Sequence, residues 1–89
     1  MKKVIWKYEI SPDKLSIEMP KDAEILSVQM QNDIPCVWAL VNPENKLKEK
    51  VIEIFGTGHE ISCDGISRKF LGTFQMQGGL LVFHLFERF

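Results

Sequence analysis

Apolar and polar positions alternate along most of this chain, and glycine, proline, asparagine or aspartate breaks the alternation at short intervals. A period of two places successive side chains on opposite faces, so each run predicts a half-buried β-strand. In the first, Val4, Trp6, Tyr8 and Ile10 share one face, with Lys3, Lys7 and Glu9 opposite. Ser11-Pro12-Asp13 is a turn by composition. Leu15, Ile17 and Met19 then alternate with Lys14, Ser16 and Glu18 in a second strand that stops at Pro20. After a loop over 20–23, Leu26, Val28 and Met30 alternate with Ser27, Gln29 and Gln31. Asn32-Asp33 is a tight turn, because both residue types tolerate positive φ better than most. Pro35 to Val41 is apolar on both faces around Trp38 and predicts a central strand. Pro35 stands at its beginning, where a missing N–H is tolerated.

The stretch 42–50 lacks β character. It reads either as one or two helical turns near 43–49, capped by Asn42 with Pro43 in the first position, or as a charged surface loop. Beyond it, Val51 to Ile61, Ile66 to Gln77 and Leu80 to Arg88 predict a three-stranded meander. Its joints are Asp64-Gly65 and Gly78-Gly79, glycine-bearing pairs between apolar runs. The whole is an all-β chain of about seven strands, a small antiparallel β-sandwich or barrel.

Size and charge narrow the reading. The 89 residues are enough for one domain with a small core. Hydrophobic residues make up 45% and charged residues 26%, a globular balance. A formal net charge of -1 supplies no general attraction to a nucleic acid polymer or to an anionic membrane. No apolar run approaches a membrane span, and the start is not that of a signal peptide, so the expected place is the cytoplasm. There Cys36 and Cys63 are expected as free thiols. The two cysteines and two histidines lack the short spacings of a zinc site, so neither metal nor cofactor is expected.

The meander fixes a register, and the register gathers the polar groups. Two-residue turns would set Thr73 opposite His84, Phe74 opposite Phe83 and Gln75 opposite Val82. They would also set Gly56 opposite Thr73, Phe55 opposite Phe74 and Glu60 opposite Lys69. Phe55, Phe74 and Phe83 then form an aromatic row towards the core. Gly56, Thr73 and His84 form a polar row over a floor without side chains, near Gly58 and Gln75. Gly56-Thr57-Gly58-His59 lacks the Lys-Ser/Thr ending of a phosphate-binding loop, and its glycines equally suit a bulge. His84 is either a pocket residue or a satisfied half-buried histidine. A neutral imidazole offers one donor and one acceptor. Nothing in the spacing sets a nucleophile beside a base and an acid, so no catalytic residue is predicted. The candidate ligand-binding residues are Gly56, Thr57, Gly58, His59, Arg68, Lys69, Thr73, Gln75 and His84, with Arg68 or Lys69 meeting phosphate. Trp6 and Trp38 either stack a base or fill the core, and the core is favoured.

Ile17-Glu18-Met19-Pro20, Ala23 to Gln29, Pro35 to Val41, Phe55 to His59, Leu71 to Gln75 and Val82-Phe83-His84 carry a further signal. Over nearly its full length the chain resembles a family of small bacteriophage and prophage proteins, in which glycine is usual where Asp33 stands. That resemblance implies an accessory, anti-defence protein of the host cytoplasm. One such class binds a cyclic nucleotide immune signal without cleaving it, as a homo-oligomer with ligand held between subunits. The expectation is therefore a non-enzymatic sponge for a small phosphate-bearing nucleotide. The alternative is a protein–protein inhibitor or virion accessory acting through a sheet edge. The apolar last strand would suit either a dimer interface or the middle of the monomer's own sheet.

Overall fold

The computed structural model describes residues 2–11, 15–62 and 64–89. Its strands are β1 (Val4–Glu9), β2 (Ser16–Pro20), β3 (Glu24–Gln31), β4 (Ile34–Val41), β5 (Leu47–Gly56), β6 (Arg68–Met76) and β7 (Leu81–Arg88). They form a three-stranded sheet, β1-β4-β3, and a four-stranded sheet, β2-β5-β7-β6, antiparallel throughout. The fold is a small β-sandwich. Cys36 is a free, buried thiol; the predicted turn at Pro12-Asp13 and Cys63 lie outside the described residues.

Alternation decides which face goes inside. Val37, Ala39 and Val41 of β4 are fully buried, and Ile25 and Val28 of β3 lie beside them. From the other sheet come Ile17 and Met19 of β2, Ile52 of β5, Phe74 of β6 and Leu85 of β7. Each fully buried aliphatic side chain of this kind stabilises the fold by roughly 1.5–3 kcal/mol. The layers approach most closely where β3 crosses β6. A Cβ on Gly72 would lie 3.0 Å from Val28 Cβ, so glycine is required by the approach of the neighbouring strand. β4 is central in its sheet, as its two-faced apolar pattern predicts. The turn Asn32-Asp33 has φ of 51° and 64°, the left-handed pair of a two-residue hairpin turn.

Several expectations are corrected. The stretch 43–49 is not helical: a turn follows Asn42, whose Oδ1 accepts from the Glu44 N–H at 3.1 Å, and β5 already begins at Leu47. Asn42 caps a turn, because residues 47–50 pair with Ile17 to Pro20 of β2 and so become the start of a ten-residue strand. The meander is also revised. β6 and β7 pair in the predicted register, Thr73 with His84 and Phe74 with Phe83. However, β5 pairs with β7, not β6, so Asp64-Gly65 is no hairpin turn. The strand stops at Gly56, the chain turns through Gly58 at φ 87°, and β6 begins at Arg68 on the far side of β7. Hence Phe55 faces His84 and Gly56 faces Phe83. Lys69 stands opposite Glu87, not Glu60. β7 is central, so its apolar side chains serve the monomer's own sheet and offer no edge. Neither tryptophan belongs to the core: Trp6 is 39% exposed, and Trp38 is half-buried opposite Lys7 and Ser27.

Candidate functional site

The outward face of the four-stranded sheet carries the predicted polar residues in an unpredicted arrangement. Side chains directly opposite on neighbouring strands share a face. His84 therefore shares this face with Phe55 of β5 and Thr73 of β6, and one row further along Phe86 lies between Glu53 and Phe70. His84 is held at both ring nitrogens. Thr73 Oγ1 is 3.0 Å from Nδ1, and Thr57 Oγ1 is 2.8 Å from Nε2. Thr57 reaches the ring because the strand has ended at Gly56, and its N–H donates to the Val82 carbonyl at 3.1 Å.

Beside this polar chain is an aromatic shelf. Phe55 meets Phe86 edge to face at 5.8 Å between ring centroids, and Phe70 meets Phe86 likewise at 5.4 Å. Phe70 is 55% exposed, so the shelf is open to solvent. Together with Thr57, His59 and His84 the three rings line a shallow hollow of about 220 Å³.

Arg68 closes one side of the shelf but offers no free charge. Its Nε donates to Glu53 Oε1 at 2.6 Å, and two further guanidinium nitrogens reach Asp64 at 2.9 and 3.1 Å. The Arg68 hydrogen bonds, helped by the Ile66 N–H, hold the Asp64 carboxyl down at about 2. The same contacts push the Arg68 pKa upward. Its Cζ lies 6.0 Å from the Phe55 ring centroid, at the limit of a cation–π contact.

The chain matches, over residues 1–89, a family described as a domain of unknown function (DUF7352). It belongs to that family. No curated protein and no solved structure matches it. In this DUF7352 chain Gly56, Thr57, Gly58, His59 and His84 line the hollow, and Thr73 orients His84 from its edge. The glycine floor is corrected: Gly56 faces inward, and the His59 ring fills the space above it, since a Cβ there would lie 2.7 Å from His59 Cε1. Gln75 is one row beyond Thr73, opposite Val82. Arg68 is engaged by two carboxylates, and Lys69, next along β6, faces the other side of the sheet.

Sequence reading missed four residues of this face: Phe55, Phe70, Phe86 and Arg88. The signal was available for two of them, since 84, 86 and 88 share a face of one strand by alternation. Among the described residues, no group of three or more His, Cys, Asp or Glu is placed to hold a metal ion. No helix among them is long and apolar enough to cross a membrane.

Proposed function

We propose that this DUF7352 protein is a non-enzymatic binding protein that sequesters a small phosphate-bearing ligand with a planar ring, of the cyclic nucleotide class. The observation that carries the reading is the exposed Phe55–Phe86–Phe70 shelf directly beside the hydrogen-bonded Thr57–His84–Thr73 chain. A nucleobase stacks on such a shelf and finds hydroxyl groups along its edge; base–aromatic stacking contributes about 1–3 kcal/mol per base. The phosphate partner is Arg88, which is exposed and forms no ion pair among the described residues. It stands two residues from Phe86 on the same face, ~7 Å along the strand.

Two features support binding without turnover and assembly of more than one copy. His84 is oriented by two hydroxyl groups rather than by a carboxylate, an arrangement that fixes a ring in place. The hollow, at about 220 Å³, is smaller than the roughly 300–1,000 Å³ of pockets that enclose small molecules. A second copy of the chain would complete the enclosure.

Calorimetry of the full chain against cyclic mono- and dinucleotides tests this, with chromatography of the ligand recovered after denaturation. The expected result is binding, lost in Phe70→Ala and Arg88→Ala, with the ligand recovered intact. Cleaved product would indicate an enzyme, and no binding by any member would overturn the proposal. The second reading is a protein–protein inhibitor acting through a sheet edge. It is favoured by β6, nine residues long on the outside of its sheet with Phe70 exposed.

A further inference from the structure

The edge strands of the two sheets are β1, β3, β2 and β6, and three of them are blunted. β3 breaks register between Ile25 and Ser27, and β6 between Phe70 and Gly72. β2 has five residues and stops at Pro20. Among the described residues β1 alone is a regular edge, paired against β4 from Val4 to Glu9 with no shift and no proline. Such an edge offers its free N–H and C=O groups to a further strand. Lys7 does not guard it: its ammonium reaches back across β4 to Gln31 Oε1 on β3, at 2.6 Å.

The inward face of β1 is also left partly uncovered. Val4, Trp6 and Tyr8 stand opposite Val41, Ala39 and Val37, all fully buried, so they share the inward face. Tyr8 packs against the core, whereas Val4 and Trp6 remain 40% and 39% exposed. Ile5, Lys7 and Glu9 face outward, and Lys3 is in phase with them just before the strand.

The occupant that fits is a second copy of the same strand. Antiparallel pairing about a two-fold axis at Trp6 keeps inward residues opposite inward ones. Trp6 then meets the partner's Trp6, and Val4 meets the partner's Tyr8, aromatic and β-branched pairs that stabilise a ladder. On the outward side Lys3 meets the partner's Glu9, once at each end. Among the described residues neither Lys3 nor Glu9 forms an ion pair within its own chain. Moving the axis by one residue, to Ile5 or to Lys7, sets Lys3 against Lys7 or Lys7 against itself. Charge therefore selects one register, and a net charge of -1 leaves little repulsion between copies.

We propose that two copies of the chain join edge to edge through β1, antiparallel about Trp6, so that their three-stranded sheets become one continuous sheet. The aromatic shelf is on the outward face of the other sheet, so this pairing stands independently of the nucleotide reading.

Sedimentation equilibrium of the full chain over a range of concentrations tests it. The expected result is a dimer that dissociates on dilution, as suits a small interface. Lys3→Glu should weaken it about tenfold, because attraction becomes repulsion at both symmetric pairs. Glu9→Lys should do the same, and the double variant Lys3→Glu, Glu9→Lys should return to within about threefold of the parent. Both residues are exposed, and far-UV circular dichroism checks that the variants fold. Phe70→Ala, on the shelf, should leave this dimer unchanged. A chain that stays monomeric at every concentration would overturn the proposal and leave the edge to a foreign strand. So would a double variant as weak as the single ones. A dimer weakened by Phe70→Ala and indifferent to both charge reversals would move the contact to the shelf, and that too would overturn it.

Discussion

Thr57 Oγ1 lies 2.8 Å from Nε2 of His84, joining the first residue after β5 to the middle of β7. The same hydroxyl is 3.4 Å from the Val82 carbonyl, a long contact that Thr57 satisfies as donor if it accepts from the ring. His84 would then carry its proton on Nε2 and accept from the Thr73 hydroxyl at Nδ1. Imidazole ¹⁵N shifts should show the Nε2–H tautomer in the neutral ring. Thr57→Val should lose about 0.5–1.5 kcal/mol of stability by urea unfolding, and Thr57→Ser should lose little.

Gly72 sets how closely the layers pack. A Cβ there would meet Val28 Cβ at 3.0 Å and Cγ2 at 3.1 Å, and Val28 is itself buried. Gly72→Ala should therefore destabilise by about 1–3 kcal/mol through overpacking. In a Val28→Ala background the penalty should shrink. A double-mutant cycle by denaturant unfolding measures that coupling, and additive penalties would show that the contact is not the cause.

Asp64 gives a pH signature. Its folded value near 2 lies below the ordinary 3.8, so its pairing contributes stability that is present above about pH 4. That contribution is lost as the pH falls through about 2. Carboxyl ¹³C titration should place the Asp64 midpoint near 2. In Arg68→Gln the midpoint should rise towards 3.8, with the Ile66 N–H as the remaining partner.

Lys50 and Glu87 form an ion pair of 2.9 Å on the inward side of the sheet, with side chains 20% and 9% exposed. Lys50→Met leaves a buried carboxylate short of its partner and should cost about 2 kcal/mol, below the 3–5 kcal/mol of a fully enclosed pair because water still reaches the lysine. The double variant Lys50→Met, Glu87→Met should recover most of that loss in thermal unfolding. A double variant no better than Lys50→Met would mean that the lysine acts through its hydrocarbon stem.

Alternation alone was enough to define most of the strands and much of the core, because period-two patterning is a local property that burial of one face enforces. It failed at Leu26, which is 46% exposed where the register of β3 shifts between Ile25 and Ser27. It failed also at 47–50, which pairs with β2 without alternating. Alternation was enough to place Thr73 beside His84, since a tight hairpin ties register to turn length. The turn at Asn32-Asp33 and the central place of Pro35 to Val41 were legible for the same reason. The partner of β5 was not, because Asp64-Gly65 has the composition of a hairpin turn whether or not its flanks pair. Only the assembled sheet inserts β7 between β5 and β6. That insertion turns Gly56 inward beneath His59, brings Phe55 beside His84, and leaves Arg68 locked between Glu53 and Asp64. Strand order is a choice among long-range pairings of similar local quality, and the packing of the whole sandwich makes it.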